Sequence, residues 1–139
     1  MPVETSFNIN KEGSELTFTP IIIGTKNHVD CARFTENTVG AFHNHPITGN
    51  AFDDNLNATP SPDDILLALE IGRGGFYSKS DKNKNIYVIR VLKKTSKKEL
   101  KGIEKDFHDH GKEIISLSNI ERVKLMKKLG RYVNIERLL

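Results

Sequence analysis

The chain has 139 residues, 37% of them hydrophobic and 28% charged, enough for one hydrophobic core and too few for two domains of ordinary size. Its single cysteine, Cys31, excludes an intrachain disulfide and an all-cysteine zinc finger. The net charge of +3 is unevenly spread: residues 1–69 carry 3 Lys/Arg against 9 Asp/Glu and residues 70–139 carry 18 against 9, so the first half suits a cation and the second an acidic partner.

No basic stretch followed by an apolar run opens the chain, and no apolar run reaches membrane-spanning length, so a cytoplasmic protein without a membrane partner is expected, unless the chain is a fragment of a larger secreted or phage protein. Residues 1–9 (MPVETSFNI) read as a strand with Phe7 and Ile9 on one face. Lys11 to Ser14 is a turn, and Leu16 to Ile23 is the returning arm of a hairpin. Thr38 to His45 is a third strand, with Val39, Ala41, His43 and His45 sharing a face, and Pro46 ends it. Residues 47–60 (ITGNAFDDNLNATP), rich in Asn, Asp and Thr, read as a loop.

Ser61 is a good N-cap and Pro62 suits the first helical position, so a helix starts there, burying Ile65, Leu66 and Leu69 and stopping at the glycines 72, 74 and 75. A strand begins at Phe76, residues 81–85 turn, and Ile86 to Leu92 is a further strand. Two C-terminal helices are expected, each opened by a capping box, Ser96 with Glu99 and Ser118 with Glu121. Their buried stripes are Leu100, Ile103 and Phe107 in one, and Ile120, Val123, Met126 and Leu129 in the other. The whole, residues 1–139, reads as one domain of mixed α/β (α+β) class, a central mixed sheet flanked by helices. Residues 1–92 carry the motifs, and residues 93–139 are expected to be helical.

Chemistry concentrates between Gly40 and Ile65. On a strand, residues two apart point the same way, so His43 and His45 can reach one ion together. Asp64 follows in the first turn of the next helix. Two imidazoles and a carboxylate leave a fourth tetrahedral position for water, the plan of a catalytic zinc site. Zinc brings the pKa of such a water to about 7.

The order His43-Asn44-His45-Pro46 and then Ser61-Pro62-Asp63-Asp64-Ile65, led in by Gly40-Ala41-Phe42, resembles the signature of the JAMM (MPN-plus) metalloproteases, bacterial type. The resemblance covers roughly residues 4–92. It implies a JAMM/cytidine-deaminase-like fold and a zinc held by His43, His45 and Asp64. It also implies a Ser61 hydroxyl donating to the tetrahedral intermediate and an upstream glutamate as general base. Glu4, Glu12, Glu15 and Glu36 are the available glutamates. Glu12 falls in a turn, Glu15 at a strand edge and Glu36 in the lead-in loop, which leaves Glu4 on the first strand. The family carries a strand and a helix ahead of this glutamate, whereas Glu4 stands almost at the start of the sequence, and the segment from Ile47 to Pro60 is longer than the family's spacing.

Each motif also has a plainer reading. Ser61-x-x-Asp64 alone is an ordinary helix cap, and two strand histidines alone are two polar residues; their joint occurrence in this order favours metal. The letters His-Asn-His invite a nuclease, whose three residues are normally spread over a ββα unit, and a zinc deaminase needs a Cys-x-x-Cys that one cysteine cannot supply. His108 and His110 do not share a helix face, His28 is a loop residue, and Cys31 reads as a buried or inert thiol. The lysines between 93 and 105 form a solvated face without the interleaved aromatics of a nucleic-acid site. The expected activity is zinc-dependent hydrolysis of a peptide or isopeptide bond in a protein or peptide substrate, such as a ubiquitin-like tail. A catalytically inactive binding module of the same family, or a domain of a larger phage or toxin-like assembly, are the alternatives. The sequence leaves the oligomeric state open.

Overall fold

The hairpin forms, with its second arm broken by a proline. In the computed structural model, which describes residues 2–139, β1 (Thr5–Glu12) turns through Gly13 and Ser14 into β2 (Glu15–Phe18). Gly13 takes φ +63°, a left-handed turn conformation that costs glycine nothing. Pro20 lacks the N–H that a ladder needs, so the arm lapses and resumes as β3 (Ile22–Ile23). Both β2 and β3 pair with β1, along the same edge. Met1, the first residue of the expected strand, lies outside the described residues.

The other edge of β1 pairs antiparallel with β4 (Thr38–His45), the bounds expected for the histidine strand. From β4 the chain crosses through α1 (Ala51–Leu56) and α2 (Pro62–Ile71) to β5 (Gly75–Ser80), which runs parallel to β4. β6 (Ile86–Val91) and β7 (Val133–Arg137) add antiparallel strands, giving the order β2-β1-β4-β5-β6-β7 with β3 beside β1. Between β6 and β7 lie α3 (Lys97–Asp109), α4 (Gly111–Ser116) and α5 (Asn119–Gly130). The mixed sheet with helices is the α+β class expected.

Register places Ala41, Phe76, Ile89 and Ile135 side by side across the sheet. They join Ile65 and Leu69 of α2, Ile103 and Phe107 of α3, and Met126 and Leu129 of α5 in one core. Phe7 and Ile9 do share a face, as expected, but the buried face of β1 is the other one, carrying Ser6 and Asn8 with Glu4 just ahead of them. Phe7 instead stacks on Phe42 at 5.1 Å and meets Phe18 edge-on at 5.7 Å.

Three expectations need correction. Residues 47–60 are not all loop: Asn50 caps α1 by accepting from the Asp53 N–H, and buried Asp54 accepts from Thr48 and Gly49. The Asn and Asp that read as loop formers are the same residues that cap helices. The C-terminal part holds three helices rather than two, because His110 ends α3 and begins α4, and it is not purely helical, because β7 closes the sheet edge. Finally, Ile120 is 70% exposed while Arg122 is 3% exposed, so the α5 stripe sits further along than its apolar letters suggested. Ser96 makes its full capping box, whereas Ser118 accepts from the Glu121 N–H without a return bond. Among the described residues, no helix is long and apolar enough to cross a membrane.

Candidate metal centre

β4 brings His43 and His45 to its C-terminal end, where the N-terminus of α2 arrives. This edge of a parallel strand pair is where open α/β sheets place ligand sites. Alternation along β4 turns both rings to the face that α2 covers, and their Nε2 atoms lie 3.0 Å apart. The α2 cap aims the third group. Ser61 Oγ accepts from the Asp64 N–H at 3.2 Å, and Asp64 Oδ2 accepts from the Ser61 N–H at 2.8 Å. So fixed, Asp64 sets Oδ1 3.3 Å from His43 Nε2 and Oδ2 3.6 Å from His45 Nε2.

These spacings fit a small four-coordinate cation. Ligand atoms about 2.1 Å from a tetrahedral zinc lie roughly 3.4 Å from one another. The two imidazole nitrogens, 3.0 Å apart, are close to that edge, and Asp64 brings one oxygen to each ring, Oδ1 at 3.3 Å and Oδ2 at 3.6 Å. The donor set of two imidazoles and a carboxylate suits zinc among common metals.

Glu4 enters from the residue just ahead of β1. The pairing Ser6↔His43 runs antiparallel, so the same register carried two residues back sets Glu4 across from His45. Its backbone is held on the other side by Thr25 and Gly24. Glu4 is 7% exposed, and its carboxylate lies within 4.8 Å of the nitrogens of both rings. It makes no ion pair with either, so it stands one step further out than Asp64. Glu12, Glu15 and Glu36 are exposed and line no part of this cavity. Among the described residues, the group whose ligand atoms all lie within 4.8 Å of one another is Glu4, His43 and His45, so Glu4 is itself placed where it could hold a metal.

The charges are coupled. Burial pushes the Glu4 carboxyl above its ordinary range, a shift that His45 and His43 oppose and Asp64 reinforces. Burial would also raise Asp64, but the charge and hydrogen bond of His43, with those of His45, hold it well below the usual carboxylate range. His43 is raised: burial works against its charge, and Asp64 and then Glu4 outweigh it.

The cavity around these groups measures about 340 Å³. Asn27, His28, Val29 and Cys31 form a wall that no motif announced, and Asn57 and Leu67 face it. Cys31 is exposed there rather than buried. Desolvation by the surrounding wall, with the charges of Asp64 and Asp30, still raises its thiol further above neutrality, which argues against a nucleophile. His28 is also at the rim, paired with Asp30 at 3.0 Å. Asn44 points away from the site. Its Oδ1 accepts from the Thr5 N–H at 2.6 Å and its Nδ2 donates to Asp81, so it staples the start of β1 and thereby positions Glu4. His108 lines a different cleft of about 700 Å³ between α2 and α3, and His110 pairs with Glu113, so neither reaches the site. Comparison with protein-family models, with curated proteins and with solved structures finds no match to this chain.

Proposed function

We propose that this chain is a zinc-dependent hydrolase of peptide or isopeptide bonds, with His43, His45 and Asp64 holding the metal. The observation that carries the reading is the convergence of five side chains from three segments of the chain on one cavity, with the two imidazole nitrogens 3.0 Å apart and one Asp64 oxygen near each. The resemblance of the His43–Pro46 and Ser61–Ile65 segments to the JAMM signature supports the same assignment. Bound zinc would polarise a carbonyl and make water acidic at neutral pH. A Glu4 carboxylate oxygen then takes a proton from the attacking water and returns it to the departing amine nitrogen. The water oxygen bonds to the carbonyl carbon, and the carbon–nitrogen bond breaks. The raised pKa of Glu4 suits it to both transfers. Ser61 has both roles open to it: its Oγ accepts within the α2 cap, and its O–H remains free to donate to the oxyanion. The substrate class is a protein or peptide, a ubiquitin-like tail being one candidate.

A second reading makes Glu4 a metal ligand, since its carboxylate falls within 4.8 Å of both ring nitrogens. The two separate cleanly by experiment. Protein purified without added metal is analysed for zinc, and hydrolysis is followed on a peptide and isopeptide library by mass spectrometry. Stoichiometric zinc is expected in the parent protein and its loss in His43→Ala and Asp64→Asn. Glu4→Gln is expected to keep zinc and lose hydrolysis. Zinc loss in Glu4→Gln would favour the ligand reading, and full activity there would sink Glu4 as base. A folded parent protein that carries no zinc and takes none up would favour a binding module.

A further inference from the structure

An apolar pocket of about 270 Å³ opens beside the metal cavity, and Asn57 and Ser61 line both. Leu56 and Pro60 form one side, and Ile114 and Ile115 of α4 form the other, with Arg122 of α5 at its wall. Arg122 is 3% exposed. Its Nε donates to the Ile114 carbonyl at 3.1 Å, one terminal nitrogen to Asn119 Oδ1 at 2.9 Å, and the other to the Leu117 carbonyl at 2.9 Å. All three acceptors are neutral. A guanidinium has five N–H groups, so two are unspent. Among the described residues no carboxylate pairs with it. Buried arginines ordinarily find an anion, because an uncompensated charge in an apolar wall is costly. Burial also pulls this guanidinium below its ordinary range, with Tyr87 opposing.

We propose that this pocket binds the C-terminal residue of an extended peptide, with an apolar side chain against Ile114 and Ile115 and the free carboxylate on Arg122. Three observations carry it: the apolar lining, the buried cation without a counter-charge, and the lining shared with the metal cavity through Ser61 and Asn57. The pocket itself does not depend on hydrolysis. Its use as a subsite rests on the function proposed above: a peptide anchored here passes Ser61 on its way to His43 and His45. The substrate class narrows accordingly to chains with a free, apolar C-terminal residue close to the scissile bond.

The test is binding, read by NMR on isotopically labelled full-length protein with two probes, N-acetyl-leucine and N-acetyl-leucinamide. The acid is expected to shift the Ile114 and Ile115 methyl signals and the Arg122 Nε–H, and to bind about tenfold tighter than the amide, because a charge-assisted bond is lost with the carboxylate. Arg122→Met is expected to bring the two probes to equal affinity, an effect that loss of a purely structural clamp would not produce. Arg122 also ties α4 to α5, so a second variant guards against misfolding. Ile115→Glu, at a position 48% exposed, sets a competing carboxylate at the pocket and is expected to abolish binding of the acid. His43→Ala is expected to leave binding of the acid intact, so failure of the hydrolytic reading and failure of this one are distinguishable. Equal affinity of acid and amide for the parent protein, or shifts confined to His43 and His45, would overturn the proposal.

Discussion

Replacing Ser61 by alanine separates the two roles of one hydroxyl, because they act on different scales. In the folded protein Ser61 Oγ accepts from the Asp64 N–H at 3.2 Å, and the return bond runs from the backbone N–H of residue 61 to Asp64 Oδ2 at 2.8 Å. Alanine removes the first bond and keeps the second, so Asp64 stays aimed at His43 and the zinc content is expected to hold. Loss of an N-cap costs about 1 kcal/mol. Against a net stability of about 5 kcal/mol, the low end for a domain, some 4 kcal/mol would remain and roughly one molecule in a thousand would be unfolded. The melting temperature is expected to fall by roughly 2–6 °C. Removal of an oxyanion donor costs about 10²–10³ in kcat. The assay is kcat on a peptide cleaved by the parent protein, beside a thermal melt and a zinc analysis of the same samples. The expected result is a large drop in kcat with a small drop in Tm, and substantial recovery of both in Ser61→Thr, which keeps a hydroxyl. A kcat within a few-fold of the parent, with the Tm lowered, would reduce Ser61 to a helix cap and refute its catalytic role.

At Gly40, an added Cβ would stand 2.5 Å from the Gly75 carbonyl oxygen, so Gly40→Ala forces β4 and β5 apart. A cost of about 1–3 kcal/mol is expected, with weaker zinc affinity because His43 lies three residues along the same strand; urea unfolding and a zinc titration check both. The Asp54 carboxyl is held below its ordinary range by the Thr48 hydroxyl, then by the Thr48 and Gly49 backbone. A lowered folded-state pKa means stabilisation that is complete above the unfolded value of about 3.9 and fades as pH falls through the folded one. The stability gap between the parent and Asp54→Asn is therefore expected to narrow on acidification, and a gap constant with pH in urea melts would refute this. Ile120, 70% exposed, is expected to tolerate Ile120→Lys within about 0.5 kcal/mol. Met126, fully buried, is expected to lose about 2–5 kcal/mol as Met126→Ala in the same denaturation assay.

Local rules account for what was readable and for what was not. The α3 stripe was legible because Ile103 and Phe107 repeat at helical spacing and a Ser96 box marks the start. The α5 stripe misled because letter chemistry ranks Ile120 as core and Arg122 as surface, whereas three hydrogen bonds make Arg122 the buried one. Likewise β7 is short and lies at the sheet edge; its partner β6 is over forty residues earlier, and no turn between them announces the pairing.

The two histidines and the aspartate are readable as a group from the letters alone. Strand alternation sets His43 and His45 on one face, and a three-residue capping interval fixes Asp64 beside Ser61, so each relation spans only a few bonds of backbone geometry. How these groups meet is a matter of long-range packing. Glu4 could be singled out among the glutamates from the letters, but its place across from His45 depends on the register of β1 against β4, and sheet register is set by long-range pairing rather than by neighbouring residues. The wall of His28 and Cys31, and the pocket closed by Arg122, come from segments distant in sequence that packing alone brings to the same cavity edge.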